Sequence, residues 1–349
     1  MKAMLLHELG GPLAPADVPT PTPGPNDALI RVRAAGVGLT LAIMRSNPGL
    51  VTQYPRIIGH EVAGDVVEVG AEVDTCRAGD RVTCHFYLTC KVCRFCRSGR
   101  ETLCTHFKGY VGMACDGGFA EYMVLPALNL CRVPAGLGYL DAAIAADAIC
   151  TPFHVCHAEA GIGPGDDVLI VGAGGGVGVH MVQMARLCGG RVLAIDVGAE
   201  KLAMTKELGA DATVDAATTP DWVFDALAWT EGRGVHAAID LVATAMTLPK
   251  CLASLAPAGR LVIVGNRPKA VFKADPSFSV DPGMMLYRGL EIHGSRYVSM
   301  AELQQTLEVV RQGRVRPIVT QTFPLEGAGE ALRRVEDGRV VGRAALLLD

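Results

Sequence analysis

No run of about 18 apolar residues occurs in this chain, so a membrane-crossing helix is not expected. An excess of positive charge is missing too. Lysine and arginine number 32 against 36 aspartates and glutamates, a formal net charge of −4. That leaves no electrostatic case for nucleic acid or an anionic membrane surface as a partner. The opening residues, MKAMLLHELGGPLAP, carry one lysine and an apolar core running only from Met4 to Leu6, which does not read as a secretory signal. Internal repeats and low-complexity linkers are absent as well. The expectation is a cytoplasmic protein that acts on a small molecule. Hydrophobic residues make up 50% of the chain and charged residues 19%, which argues for a sizeable core and against disorder. A length of 349 residues suits two domains better than one.

Cysteine is plentiful, with 12 in the chain. Without a signal, and at this length, thiols and metal are a better reading than disulfides. Residues 90–104 read CKVCRFCRSGRETLC, placing Cys90, Cys93, Cys96 and Cys104 in a C-x2-C-x2-C-x7-C pattern. Four thiolates so spaced can close a tetrahedron around one Zn²⁺ per chain with no open position, which means a structural role. Arg94, Arg97 and Arg100 would offset the thiolate charge. An iron–sulfur cluster is the alternative metal centre, and free buried cysteines are the reading without metal. The remaining cysteines (76, 84, 115, 131, 150, 156, 188 and 251) read as small core residues.

Residues 1–150 look β-rich. ALIRVRAAGV (28–37), EVAGDVVEVG (61–70) and GDRVTCHF (79–86) are strand-like runs separated by Gly/Pro punctuation. The character changes near residue 160. DVLIVG (167–172), RVLAID (191–196), HAAIDLVA (236–243), RLVIVG (260–265) and LEIHGS (290–295) read as strands, with helical segments such as VHMVQMARLC (179–188) and AEKLAMTKELGA (199–210) between them. That alternation implies a parallel, doubly wound α/β sheet. AELQQTLEVVRQGR (301–314) reads as a helix, and the tail beyond about 315 as short irregular segments that could pack on the first domain.

The cofactor signal lies between the first buried strand of that sheet and its helix. Gly172, Gly174, Gly175, Gly176 and Gly178 sit there in a GxxGxxG pattern (172, 175, 178) with Val177 between the last two. Glycines allow a tight turn and a close backbone approach to a pyrophosphate, and the helix offers its N–H groups and positive dipole end. Asp196 closes the next strand, 18 residues after Gly178, where a carboxylate can bond a ribose 2′-hydroxyl and would repel a 2′-phosphate. NAD(H) is therefore expected over NADP(H). Lys201, in the following helix, completes the candidate cofactor set.

A four-cysteine lobe inside a β-rich first domain, followed by a nucleotide-binding domain, resembles the medium-chain, zinc-dependent alcohol dehydrogenase family. IIGHEVAGDVVEVG (57–70) resembles its Gly-His-Glu segment, and DGGFAEY (116–122), GRLVIVG (259–265) and RVVGRAALLL (339–348) agree. The resemblance covers essentially the whole chain. It implies a GroES-like catalytic domain over 1–155, joined by 296–349, and a Rossmann domain over 156–295. It also implies a homodimer or homotetramer, and a catalytic zinc held by a cysteine, a histidine and a third ligand.

On the matching positions, His60 is the histidine and Asp147, in AADAICTPFHV (145–155), the third ligand. The cysteine is what this chain lacks. AAGVGLTL (34–41) resembles the family's AAGVCHTD, with Gly38 at the cysteine and Leu39 at the next position. Thr40 keeps its type, and in the family that hydroxyl bonds the substrate oxygen and relays its proton. Two readings stay open for the metal: a site empty or weakly filled, or a zinc held by His60, Asp147 and Glu61.

Thr40, His60, Glu61 and Asp147 are thus the catalytic candidates, with His154, His157 and Tyr110 behind them. The leading expectation is an NAD(H)-dependent oxidoreductase moving hydride between nicotinamide and an alcohol or carbonyl, with a lost or altered catalytic zinc. Alternatives are a metal-free NAD(H)-dependent reductase of an activated C=C bond, an enone or enoyl thioester, and a non-catalytic NAD(H)-binding protein. Leu39 and Leu41 beside Gly38, with the loop MRSNPGLVTQYP (44–55), suggest an apolar, fairly bulky substrate.

Overall fold

In the computed structural model, which describes residues 1–266, 268–273 and 275–349, the strand Asp27–Val37 organises the first of two units. This unit comprises Met1–Cys150 and Tyr297–Asp349. The strand is buried along most of its length because it pairs on both edges, antiparallel to Val62–Val69 on one side and to Tyr122–Pro126 and Arg343–Leu347 on the other. The sheet order is Leu130–Arg132, Arg81–Cys84, Val62–Val69, Asp27–Val37, Arg343–Leu347, Val319–Phe323. A smaller sheet of Lys2–Leu6, Leu13–Asp17 and Arg56–Ile57 shares a core with it, built from Leu6, Leu41, Ile58, Met113, Phe119 and Leu346.

The expectation of irregular segments after residue 315 is corrected here. Val319–Phe323 and Arg343–Leu347 are parallel partners, and helix Ala328–Glu336 joins them. The short run RAALL has no alternation to betray it, because it lies inside the sheet and is buried on both faces. The first unit also contains helix Tyr139–Ile144, continued by one π-helical stretch, Ala145–Ile149.

The second unit, Thr151–Arg296, is built on a six-stranded parallel sheet. Its order is Ala212–Asp215, Arg191–Asp196, Asp167–Val171, Val235–Asp240, Leu255–Ile263, Glu291–Gly294. Numbered along this unit, that is 3-2-1-4-5-6, the order of the dinucleotide-binding doubly wound fold, whose ligands bind where the order reverses beside strand 1. Asp167–Val171 is buried at every position, as a strand covered on both faces must be. No helix among the described residues is long and apolar enough to cross a membrane.

Candidate active site

The glycine turn emerges from the central strand of the second unit. Gly172 has φ +79°, a left-handed value that glycine adopts without strain. A Cβ on Gly178 would lie 2.6 Å from the carbonyl carbon of Ala173, so only glycine lets the helix Gly178–Leu187 start this close to the turn. Val179 N bonds back to Gly175 O, and His180 N and Met181 N to Val177 O, which sets the helix directly on the turn with its positive dipole end at the glycines, a cradle for anionic oxygens. Asp196 braces the turn, its Oδ2 accepting from Gly174 N at 2.7 Å and its Oδ1 from Val197 N at 2.7 Å. Lys201 packs its backbone against Gly174, where an added Cβ would meet Lys201 Cα at 3.1 Å. This cradle fits a dinucleotide's phosphates.

In the first unit, strand pair Tyr87–Leu88 and Gly109–Tyr110 forms the neck of the cysteine lobe. The four sulfurs converge. Cys90 and Cys104 are 3.4 Å apart, Cys93 and Cys96 3.6 Å, Cys90 and Cys96 3.9 Å, and Cys93 and Cys104 3.9 Å. Zn–S bonds of 2.3 Å in a tetrahedron require sulfurs about 3.8 Å apart, so the donor set fits one closed Zn²⁺ site. Backbone N–H groups point at the sulfurs: Cys93 N reaches Cys90 Sγ, and Cys90 N and His106 N reach Cys104 Sγ, all at 3.3 Å. Amides of Cys96 and Thr105 aimed at Cys93 hold its thiol down to about 5, in the thiolate form a metal needs.

A second cluster lies deeper in the same unit. His60 and Glu61 are fully buried, and Asp147 is 7% exposed on its π-helical stretch. His60 Nε2 is 3.4 Å from Asp147 Oδ2 and 3.7 Å from Glu61 Oε1. The His60 ring rests on Phe86, centroids 4.5 Å apart, which fixes its plane. Cys84, its thiol pushed up to about 12 by burial, donates to the His60 carbonyl. A buried imidazole between two carboxylates can hold and pass a proton. Thr40 is half-buried in the first turn of helix Leu39–Ser46, and among the described residues its hydroxyl makes no hydrogen bond.

Tyr110 belongs to an aromatic group with Phe86, Tyr87 and Phe107. His154 pairs with Glu159 at 3.2 Å and His157 lies 3.8 Å from Cys188 Sγ, both within the second unit. Leu41 is sealed in the core rather than available to a substrate, while Leu39 is 44% exposed.

One residue at the cluster carries no signal in the sequence. Arg343, 3% exposed, donates through Nη2 to Glu61 Oε1. Its guanidinium is charged at neutral pH even though burial lowers it to about 10. RVVGRAALLL shows only an arginine before a strand; that it faces Glu61 depends on a pairing 282 residues apart in sequence.

Two buried imidazoles set an acid limit on stability. Burial pushes His85 and His180 down to about 4, despite contacts of 2.9 Å from His85 Nε2 to Val298 O and 2.8 Å from His180 Nδ1 to Gly176 O. Below the unfolded value near 6.5 the unfolded chain takes up protons that the fold refuses. Stability therefore falls from about pH 6.5 to about 4 and levels off below, each group contributing about 2 kcal/mol of destabilisation at pH 5. Urea midpoints at about pH 7.5 and 5 check this, and His180→Gln is expected to shrink the difference.

Comparison with known proteins places these features. Residues 24–135 match the alcohol dehydrogenase GroES-like domain, and residues 176–312 match the zinc-binding dehydrogenase domain. An NAD-dependent alcohol dehydrogenase of Sulfolobus acidocaldarius is 32% identical over 99% of this chain and 99% of its own. An acryloyl-coenzyme A reductase of Sulfurisphaera tokodaii is 29% identical over 94% of each chain. The crystal structure of AibC superposes with a TM-score of 0.91 at 36% identity, covering 99% of this chain and 95% of that one. The chain belongs to the medium-chain, zinc-type alcohol dehydrogenase family.

Proposed function

We propose that this protein is an NAD(H)-dependent oxidoreductase that moves a hydride between nicotinamide and an alcohol or carbonyl carbon of a small, apolar substrate. One observation carries the reading: a fully buried imidazole, His60, faces Asp147 and Glu61 in the unit that is not the nucleotide fold. When bound, the dinucleotide supplies or accepts the hydride. Gly174 to Gly178 and the following helix hold its phosphates, and Asp196 orients its ribose. His60, paired with Asp147, holds the proton that the substrate oxygen gains or loses. Thr40 is the donor that bonds that oxygen and stabilises the charge developing on it. Glu61 keeps the imidazole in place. The four-cysteine lobe holds a zinc that pins its loop and takes no part in the reaction. Four cysteines assigned to zinc and eight more outside any disulfide fit a reducing compartment such as the cytoplasm, and the family suggests a homodimer or homotetramer.

Asp196 sets the cofactor preference in this reading. Titration by fluorescence should show NADH binding well ahead of NADPH. Asp196→Ala should weaken NADH about tenfold and narrow that preference, because a ribose hydrogen bond and a brace on Gly174 are both lost. Equal binding of the two nucleotides by the unaltered protein would remove Asp196 from this role.

A second reading is a reductase of activated C=C bonds. Gly38, in place of a thiolate, favours it, since a conjugated acceptor takes hydride at carbon and spreads the charge to its own carbonyl without a strong Lewis acid. The likeness to an acryloyl-coenzyme A reductase points the same way. Turnover on a panel of alcohols, cyclic ketones, enones and enoyl thioesters separates the two readings.

A further inference from the structure

We infer that Tyr297 is a positioning residue for the His60–Asp147 pair: its hydroxyl, wedged into the backbone ladder of the helix that carries Asp147, makes the π-helical turn that aims this carboxylate at His60. For its bearing on the reaction the inference rests on the function proposed above.

In an α-helix the amide of residue 150 would bond to the carbonyl of residue 146, four back. Here the Cys150 amide bonds to Ala145 O and Asp147 O and passes over Ala146 O. The bond to Ala145, five residues back, is the π pattern. Ala146 O accepts from side chains: from the Tyr297 hydroxyl, and from the Cys150 thiol at 3.1 Å. A side chain inserted into the i→i−4 ladder distorts a helix in this way. Of the two donors the phenol is the stronger, since a thiol donates weakly. It also comes from outside the helix, 151 residues along the chain. Asp147 follows Ala146 directly, so the wedge acts one residue from the carboxylate that stands 3.4 Å from His60 Nε2.

The Tyr297 ring reaches His60 as well. It lies against Phe86 with centroids 4.1 Å apart, and Phe86 carries the His60 ring at 4.5 Å. A stack on Tyr87, at 5.1 Å and 8° between planes, fixes the phenol's direction. One buried side chain thus braces both members of the pair. Its backbone is in the left-handed region, with φ +55°, a value that costs a tyrosine strain. Such strain persists where the surroundings hold it, and it gathers at functional sites. Here the next two residues hold it. Val298 O is 2.9 Å from His85 Nε2, and Ser299 caps helix Met300–Arg311 in a capping box with Glu302.

Tyr297→Phe removes the hydroxyl and keeps the ring. A crystal structure of this variant should show the Cys150 amide on Ala146 O, and His60 Nε2 more than about 4 Å from Asp147 Oδ2, outside hydrogen-bond reach. Single turnovers should slow about 10–100-fold, the effect of misplacing a reacting group by about 1 Å, with NADH affinity within about twofold. Cys150→Ala, a milder change, should keep the π-turn in its own crystal structure. A folded Tyr297→Phe that retains the π-turn and the His60–Asp147 contact would overturn the inference. A Cys150→Ala protein whose turn closes in the α pattern would overturn it too, since the thiol would then be the wedge, and that result needs no Tyr297 variant to fold. An altered turn in Tyr297→Phe with undiminished turnover would uphold the placement by Tyr297 and sink the proton role proposed for the pair, which tells the two failures apart.

Discussion

Substituting alanine for His60 is expected to lower kcat/KM by about 10²–10⁴-fold, the usual contribution of a positioned proton donor or acceptor, while leaving NADH affinity within about twofold. The split follows from where the groups lie. The glycine turn and Asp196 belong to the second unit and His60 to the first, so each variant removes one function. His60 is fully buried, so the variant removes no surface charge. Thr40→Ala should fall in the same range, because a hydroxyl that stabilises charge on the substrate oxygen acts mainly in the transition state. Thr40→Ser should recover most of the rate, which a merely structural role for the threonine methyl would not predict. If Thr40→Ala and His60→Ala both leave turnover unchanged, the proposed chemistry is wrong. Stopped-flow single turnovers with NADH in excess provide the measurement, since they separate the chemical step from product release.

Cys93→Ser is expected to empty the four-cysteine lobe and to lower the thermal midpoint by on the order of 10 °C. The lobe has little else to hold it. The helix Arg94–Arg97 is a single turn with no buried residue, and Arg94 and Arg100 lie over the ring of Phe95 instead of a core. A closed metal site therefore replaces the hydrophobic contacts this segment lacks. Zinc per chain by mass spectrometry and a calorimetric scan report the two effects together. A variant that keeps its zinc and its midpoint would show that three sulfurs suffice, or that the lobe is held by the short strands at its neck.

Features whose physics is local could be read from the chain alone. The spacing of Cys90, Cys93, Cys96 and Cys104 falls within fifteen residues, and a metal needs only that the chain turn back on itself. The glycine turn is equally local: strand, turn and helix follow one another, and the acidic strand end comes 18 residues later. Buried parallel strands advertise themselves as apolar runs. His60, Glu61 and Asp147 were identifiable as types at matching positions, but not as a group within hydrogen-bonding reach.

The amino-acid sequence by itself determined the two-part organisation, the zinc lobe, the dinucleotide turn and the absence of a cysteine at position 38. Tertiary structure alone decided what fills the space that cysteine leaves. Arg343 reaches Glu61 across 282 residues because a C-terminal strand is inserted beside Asp27–Val37, setting the arginine opposite Gly38. No periodicity or spacing encodes that meeting. It depends on strand register, where a shift of one residue would turn the guanidinium to the other face of the sheet.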